Sequence, residues 1–454
     1  MSGVAEMTAP VRTSGALRLG IIGGGASGLL VAAAALREAT SPVAITIYEP
    51  RETLGQGVAY STTDRMHLLN VPACGMSAIP EDPDHFRHWA GCEDTDFVSR
   101  AVYGRYLAAV LDEARAHAVE GSTLTHERDM VSNIGMSPRP WIVTCSGGFA
   151  ELDAIVVATG HDLPAVPRAL AAANLAAGAL VSDPWADAAL DGVAANDTVL
   201  VVGTGLTFVD VSMSLVSRTP GVRIVGLSRH GLLPQAHEDP WQPRHPAPDW
   251  DLDDIDLRTI VSYLKGFGAD WRRGLDSLRP LTQALWQSLD DRDRSVLVGQ
   301  LSRLWDVHRH RMAPGVARIF GRVADAGIVR VAAGTIAEAR MHEGRVQVLL
   351  ADGQELLVDR IVMCTGPSGD PRGNPLGRLM ITRGLAQPGP IDAGFLVDPD
   401  TGALIDENGH PVDGLYAVGP LRRGVLWEST AIPEIRVQAV ELARELLQRQ
   451  PVTA

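Results

Sequence analysis

Two six-residue stretches have the glycine spacing that lets a backbone come up against a phosphate: Gly23-Gly24-Gly25-Ala26-Ser27-Gly28 and Gly203-Thr204-Gly205-Leu206-Thr207-Phe208. In such a stretch the first glycine makes a tight turn and the second admits a pyrophosphate. The third lets a helix pack closely on a strand, and the helix N-terminus favours the negative charge. One such stretch is weak grounds for a site; two in one chain predict two bound dinucleotides. The residues that follow differ. Glu49 lies 26 positions after Gly23, and Arg229, flanked by Ser228 and His230, lies 26 positions after Gly203. A carboxylate at that place accepts hydrogen bonds from ribose hydroxyls and repels a 2′-phosphate. A guanidinium clamps a 2′-phosphate with two hydrogen bonds. The second nucleotide is therefore expected to be NADPH in preference to NADH. Phe208 takes the place of the third glycine, so the second helix is expected to stand further from its strand.

The elements that must hold these loops can be read around them. Leu17 to Ile22 is an apolar run of strand length, Leu29 to Leu36 reads as helix, and Val43 to Tyr48 as the next strand. The second unit repeats this with Thr198 to Val202, Phe208 to Leu215 and Val222 to Leu227. Trp141 to Cys145 and Leu152 to Val157 read as a strand pair across the Gly147-Gly148 turn, leading into Ala158-Thr159-Gly160-His161. Val346 to Leu350 and Glu355 to Val362 read likewise, leading into Cys364-Thr365-Gly366. Gly414 to Gly419 is a strand ending at a close-approach glycine. Pro433 to Leu447 is an amphipathic helix that Ser429 or Thr430 is placed to cap. Its N-terminus is suited to negative charge on a reduced flavin.

The expected organisation is α/β. A flexible leader covers 1–16, and a first dinucleotide-binding domain runs over 17–170 and resumes over 367–454. Residues 190–366 form the second, with a helical insert at about 240–318. Pro164 and Pro167 mark the linker. The insert region from Gly231 to Arg318 holds Trp241, Trp250, Trp271, Trp286 and Trp305, five of nine tryptophans. It also holds the run His308-Arg309-His310-Arg311, which would suit an anionic or nitrogen-rich ligand, with at most two of the four on one helix face.

Composition narrows the classes. The net charge of −14 argues against nucleic acid, and no apolar run free of glycine and charge reaches the length of a membrane span. A cytoplasmic protein is expected. Cys74, Cys92, Cys145 and Cys364 form no C-x-x-C, which argues against a dithiol reductase, and metal-ligand spacing is missing. Lys265 is the only lysine. Nothing in the sequence fixes an oligomeric state.

Several stretches are more specific than the glycine loops: Gly55-Gln56-Gly57-Val58-Ala59-Tyr60, His67 to Ala73, Trp305 to Pro314, and Gly414 to Pro420 continuing to Trp427-Glu428. With the loops, they make most of the chain resemble the two-dinucleotide flavoproteins. The narrower likeness is to the FAD/NAD(P)-binding proteins that include FAD-dependent urate hydroxylases and aspartate N-monooxygenases. The resemblance implies a glutathione-reductase-like pair of three-layer Rossmann domains, FAD in the first, and NADPH or NADH in the second. It implies oxygen insertion into a small-molecule substrate through a flavin hydroperoxide. Asp153 to His161 is similar to the D-x-x-x-(L/F)-A-T-G-(Y/H) pattern of N-hydroxylating monooxygenases, with Val157 departing from it.

On this reading the cofactor-binding residues are Gly23, Gly25, Ala26, Ser27, Gly28, Glu49, Gly57, Asn70, Thr159, Gly160, Gly203, Gly205, Ser228, Arg229, Gly366 and Gly419. The catalytic candidates are Asn70, His308 and Arg311. Hydroxylation of urate or a similar purine ring ranks first, amino-acid N-hydroxylation of the aspartate type second, and electron transfer to a protein partner third.

Overall fold

The structure, a computed structural model, describes residues 15–136, 141–239, 245–252 and 255–449. The expected leader and Trp241 therefore lie almost wholly outside the described residues. A six-stranded sheet carries the first unit in the order Ala403–Ile405, Pro411–Ala417, Ala154–Val157, Leu17–Ile22, Val43–Tyr48, Thr123–Glu127. Its pairs are parallel except the first. Leu19, Ile21, Ile45 and Ile47 are at most 1 % exposed, because helices cover both faces of such a sheet and a continuous apolar run is the form that suits it. The glycine loop opens the helix Ala26–Glu38, whose run Ala32 to Ala35 is buried against the Ile432–Leu447 helix in one core. Alanines there let the two helices come close.

The second unit has five parallel strands in the order Val329–Ala333, Arg223–Ser228, Thr198–Val202, Arg360–Met363, Leu180–Val181. Each unit also carries a three-stranded antiparallel meander, at 133–152 and 336–358. Here the structure corrects the sequence reading. Leu152 to Val157 is not one strand; Gly148–Leu152 belongs to the meander and Ala154–Val157 to the large sheet. The change of sheet falls at Asp153, whose backbone N–H donates to the Arg18 carbonyl while its carboxylate accepts the Arg18 N–H and guanidinium. Glu355 to Val362 breaks in the same way at Asp359. That residue donates to the Thr198 carbonyl and accepts the Thr198 N–H, with Arg345 as its cation. An aspartate that satisfies the start of the neighbouring strand, buried at Asp153 and half-buried at Asp359, thus redirects the chain in both units, and an apolar run does not reveal it.

The two linkers between units run side by side, with Pro164 bridged to Pro367. The insert comprises the helices Leu257–Gly266, Trp271–Leu278, Thr282–Ser288, Asp291–Val296 and Ser302–Arg309, with a π-helical turn at Leu297–Leu301. It ends earlier than the sequence suggests. The Pro314–Asp325 helix belongs to the second unit, where Val316 and Phe320 pack into its core. The cap expected before the C-terminal helix is also corrected: Ala431 is the N-cap and no side chain caps it. Ser429 is fully buried and its hydroxyl has no partner.

Candidate active site

The first loop is built around a fixed carboxylate. Gly23 N–H donates to the Tyr48 carbonyl (2.9 Å), which closes the turn. Glu49 accepts the Gly24 N–H (2.9 Å) and the Arg51 N–H (3.0 Å), so its orientation is set before any ligand arrives. Gly23 has φ +105°, and a Cβ there would stand 2.4 Å from the Ala158 carbonyl oxygen. Gly28 is equally constrained, since its Cβ would meet Gly23 O at 2.0 Å. Gly25 differs: a Cβ on it meets nothing nearer than Gly57 Cα at 3.6 Å. Gly25 and Gly57 thus face each other as a bare backbone channel. Gly419 closes on Ser27 and donates its N–H to Gln438 Oε1 (3.0 Å), while the Gln438 amide nitrogen, in a residue 4 % exposed, has no partner. Thr159 is exposed at the strand end and Gly160 has φ +73°. A bare glycine channel, an anchored carboxylate and an orphaned buried amide, Gln438 Nε2, are what a bound dinucleotide with a polar ring would satisfy. The residues fit FAD.

The second loop follows the same plan with changed parts. Gly203 has φ +102° and abuts the Cys364 carbonyl as Gly23 abuts that of Ala158, and a Cβ at Gly205 meets nothing within 4 Å. Phe208 is fully buried with its ring over Gly226, where a Cβ would stand 2.6 Å from the ring. The space lost to the missing third glycine is recovered on the next strand. The first helical hydrogen bond is longer here, 3.3 Å for Val209 to Gly205 against 3.0 Å for Leu29 to Gly25. Ser228 Oγ accepts the Gly231 N–H (3.1 Å) and lies 2.8 Å from Thr204 Oγ1, which donates to the Leu232 carbonyl. Arg229 is exposed, and the half-buried Arg303 reaches Thr204 from the insert. Burial pulls the Arg303 guanidinium below its ordinary value; Asp306 opposes this and the Arg229 charge adds to it. No local spacing marks Arg303, which the fold brings back to the loop across about a hundred residues. Gly366 has φ +81° and open space around it.

The two units are latched through residues 67–100 of the first. Arg100 forms an ion pair with the buried Asp210. His67 lies 2.9 Å from Ser214 Oγ and 2.7 Å from Thr62 Oγ1. Asn70 follows in the same segment, and its carbonyl accepts the His237 Nε2 hydrogen (3.0 Å).

The run at 308–311 is corrected. Arg309 is buried against Glu428 (2.9 Å), and Arg311, 3 % exposed, is paired with Asp276. Both arginines neutralise carboxylates inside the protein, so Arg311 is held in an internal ion pair. His310 stands beside Asp306. His308 is half-buried, donates to the Leu304 carbonyl (2.8 Å) and sits edge-on to Trp271. Asn70 and His308 are thus placed apart, one at the latch between units and one within the insert. The insert is docked on the return segment by Arg309–Glu428 and by Arg279, which grips Glu434 with two hydrogen bonds (2.9 and 3.2 Å). Trp286 stacks on Trp427 at 4.7 Å.

His237 was not singled out by its sequence position, yet it joins both units. Burial, then the Arg311 charge, pushes its imidazole down to about 4. It folds neutral while the unfolded chain takes up a proton near pH 6.5, so its contribution is complete above that pH and is lost as pH falls toward 4. The loss is about 1.4 kcal/mol per pH unit within that window. His237→Gln keeps the donor to Asn70. Denaturant unfolding from pH 7 to 4.5 should show a shallower fall in stability for the variant than for the native chain.

The profile of the FAD-NAD(P)-binding family matches residues 20–162. No protein of curated function matches the sequence. Among solved structures, L-lysine 6-monooxygenase from Pseudomonas syringae is 16 % identical with a TM-score of 0.66, covering 95 % of this chain and 99 % of its own. Ornithine N-hydroxylase from Kutzneria sp. 744, in a complex with reduced FAD, NADP+ and L-ornithine, is 15 % identical at 0.61 with the same coverage. Bacillithiol disulfide reductase from Bacillus cereus is 14 % identical at 0.55, again covering 95 % and 99 %. At these identities the likeness is one of fold: two Rossmann-like units with an inserted helical segment. No helix among the described residues is long and apolar enough to cross a membrane.

Proposed function

We propose that the protein is an FAD-dependent monooxygenase reduced by NADPH, acting on the amino group of a small amino acid. The observation that carries this is the contrast between the loops: a carboxylate held by backbone amides at the first, two arginines at the second. FAD at the first loop supplies hydride acceptance and oxygen activation. The chain's own part is to hold that group by Gly25, Gly57 and Glu49, to bring the nicotinamide nucleotide in by Gly205, Arg229 and Arg303, and to keep water out with the docked insert. N-hydroxylation ranks above the urate chemistry expected from the sequence. The lysine and ornithine hydroxylases share the fold over nearly its whole length, and the two arginines of the 308–311 run, expected to suit an anionic or nitrogen-rich ligand, are paired with Glu428 and Asp276. The reductase reading is kept as the alternative, since a disulfide reductase shares the fold.

The test is consumption of NADPH, uptake of oxygen and release of peroxide by the yellow protein with ornithine, lysine, aspartate or urate. Oxygen uptake stimulated by an amino acid, with a hydroxylamine product and little peroxide, supports the proposal. Stimulation by urate alone restores the purine reading. No stimulation, with fast reduction of an artificial acceptor, supports the reductase.

The nucleotide preference has its own prediction. Arg229→Ala should raise the KM for NADPH about tenfold or more and leave that for NADH unchanged, because a phosphate–guanidinium hydrogen bond is lost. Arg303→Ala should act in the same direction with a smaller effect. Equal changes for both nucleotides would remove the 2′-phosphate assignment.

A further inference from the structure

The insert and Trp427 form a cavity of about 540 Å³ that is open to solvent on one side. Its floor includes Leu275, Leu278, Leu285, Trp286 and Trp427, all 7 % exposed or less. Its rim includes Leu304, 47 % exposed, and the exposed Lys265. The helices of the insert are therefore arranged around a space. Protein interiors otherwise hold few voids larger than a water molecule. Apolar cavities of ~150 Å³ already bind benzene, and pockets for drug-sized ligands span roughly 300–1,000 Å³.

Two observations say what would fill it. Among the described residues no carboxylate lines the cavity, and the two ionisable lining groups, Lys265 and His308, are both basic. In a chain with 40 basic residues, the single lysine stands at this mouth. The π-helical turn also sets Leu297 and Leu301 on the wall, and turns of this kind recur at functional sites.

We propose that the insert binds an apolar carboxylic acid, acyl or aryl, whose hydrocarbon body fills the leucine–tryptophan chamber. Its carboxylate lies at Lys265. The site goes beyond the proposed oxidation, because an amino acid of the ornithine type has too little apolar surface to fill the chamber. Binding is measured without nicotinamide nucleotide, so its failure leaves the oxidation reading untouched and the converse also holds.

The probe is laurate, added to the full-length protein preloaded with a dansylated fatty acid, with dodecanol, ornithine, aspartate and urate as comparators. Laurate should displace the dansyl probe and change tryptophan fluorescence. It should also slow acylation of Lys265 by acetic anhydride, read by mass spectrometry, about tenfold. Dodecanol should bind about tenfold more weakly for want of the charge-assisted contact. Lys265→Ala should bring laurate to the dodecanol level. Leu301→Trp, on the half-buried wall, should weaken both, with circular dichroism confirming the fold. The proposal is overturned if laurate neither displaces the probe nor protects Lys265. It is also overturned if displacement is the same in both variants as in the native chain, or if ornithine, aspartate or urate displaces the probe as well as laurate does.

Discussion

Gly25→Ala is expected to give a folded protein that purifies with little or no flavin, and Gly205→Ala one that stays yellow but is reduced poorly by NADPH. The reasoning rests on what each added methyl meets. At Gly25 the nearest atom is Gly57 Cα at 3.6 Å, an ordinary contact, and at Gly205 there is nothing within 4 Å. Neither position has a positive φ. The fold therefore tolerates both alanines, and any loss of cofactor reports a ligand that comes closer to that backbone than any protein atom does. The first glycines cannot serve for this test, because Gly23 and Gly203 combine positive φ with carbonyl oxygens 2.4 and 2.1 Å from the added Cβ. Flavin absorbance per polypeptide reads the first variant. The NADPH concentration dependence of anaerobic flavin reduction reads the second, where affinity should fall at least about tenfold. Full flavin occupancy in Gly25→Ala would show that the first loop does not face the pyrophosphate.

Glu428→Ala is expected to cost about 3–5 kcal/mol, because it leaves the Arg309 guanidinium buried without its counter-charge. The two side chains are 7 % and 8 % exposed and 2.9 Å apart. Burial alone would raise the Glu428 carboxyl, but Arg309, His310 and Arg279 together hold it below its ordinary range. Its contribution is accordingly present above the ordinary carboxylate range and is lost as pH falls through the lower folded value. Replacing both partners at once, Arg309→Met with Glu428→Leu, should cost much less than the single change. Thermal unfolding compares the three proteins, and hydrogen exchange should show the loss in Glu428→Ala concentrated in the insert. A single variant as stable as the double would mean that the pair does not dock the insert.

Three of the four strands around the loops are legible to the residue and the fourth is shifted by one, Arg223–Ser228 for the expected Val222 to Leu227, since a buried parallel strand is a short apolar run. Leu17–Ile22, Val43–Tyr48 and Thr198–Val202 are such runs. The same rule fails where two strands of different sheets follow one another without a polar interval except Asp153 or Asp359. There the deciding contact lies with Arg18 or Thr198, far away in sequence. Glycine loops announce themselves because their geometry is local. The site around 308–311 does not, since whether an arginine is free depends on partners 119 and 35 residues distant, Glu428 and Asp276. His237 and Arg303 were out of reach for the same reason. Their significance comes from which unit they touch, and no local spacing encodes that.

The Pro164–Pro367 bridge bears on how such a chain is assembled. The strand before the exit, Ala154–Val157, pairs directly with the strand after the return, Pro411–Ala417. The host sheet is therefore continuous across the gap left by some two hundred residues. The nicotinamide unit is a guest with its two ends held together, and every strand pairing of its host sheet is made by residues outside it.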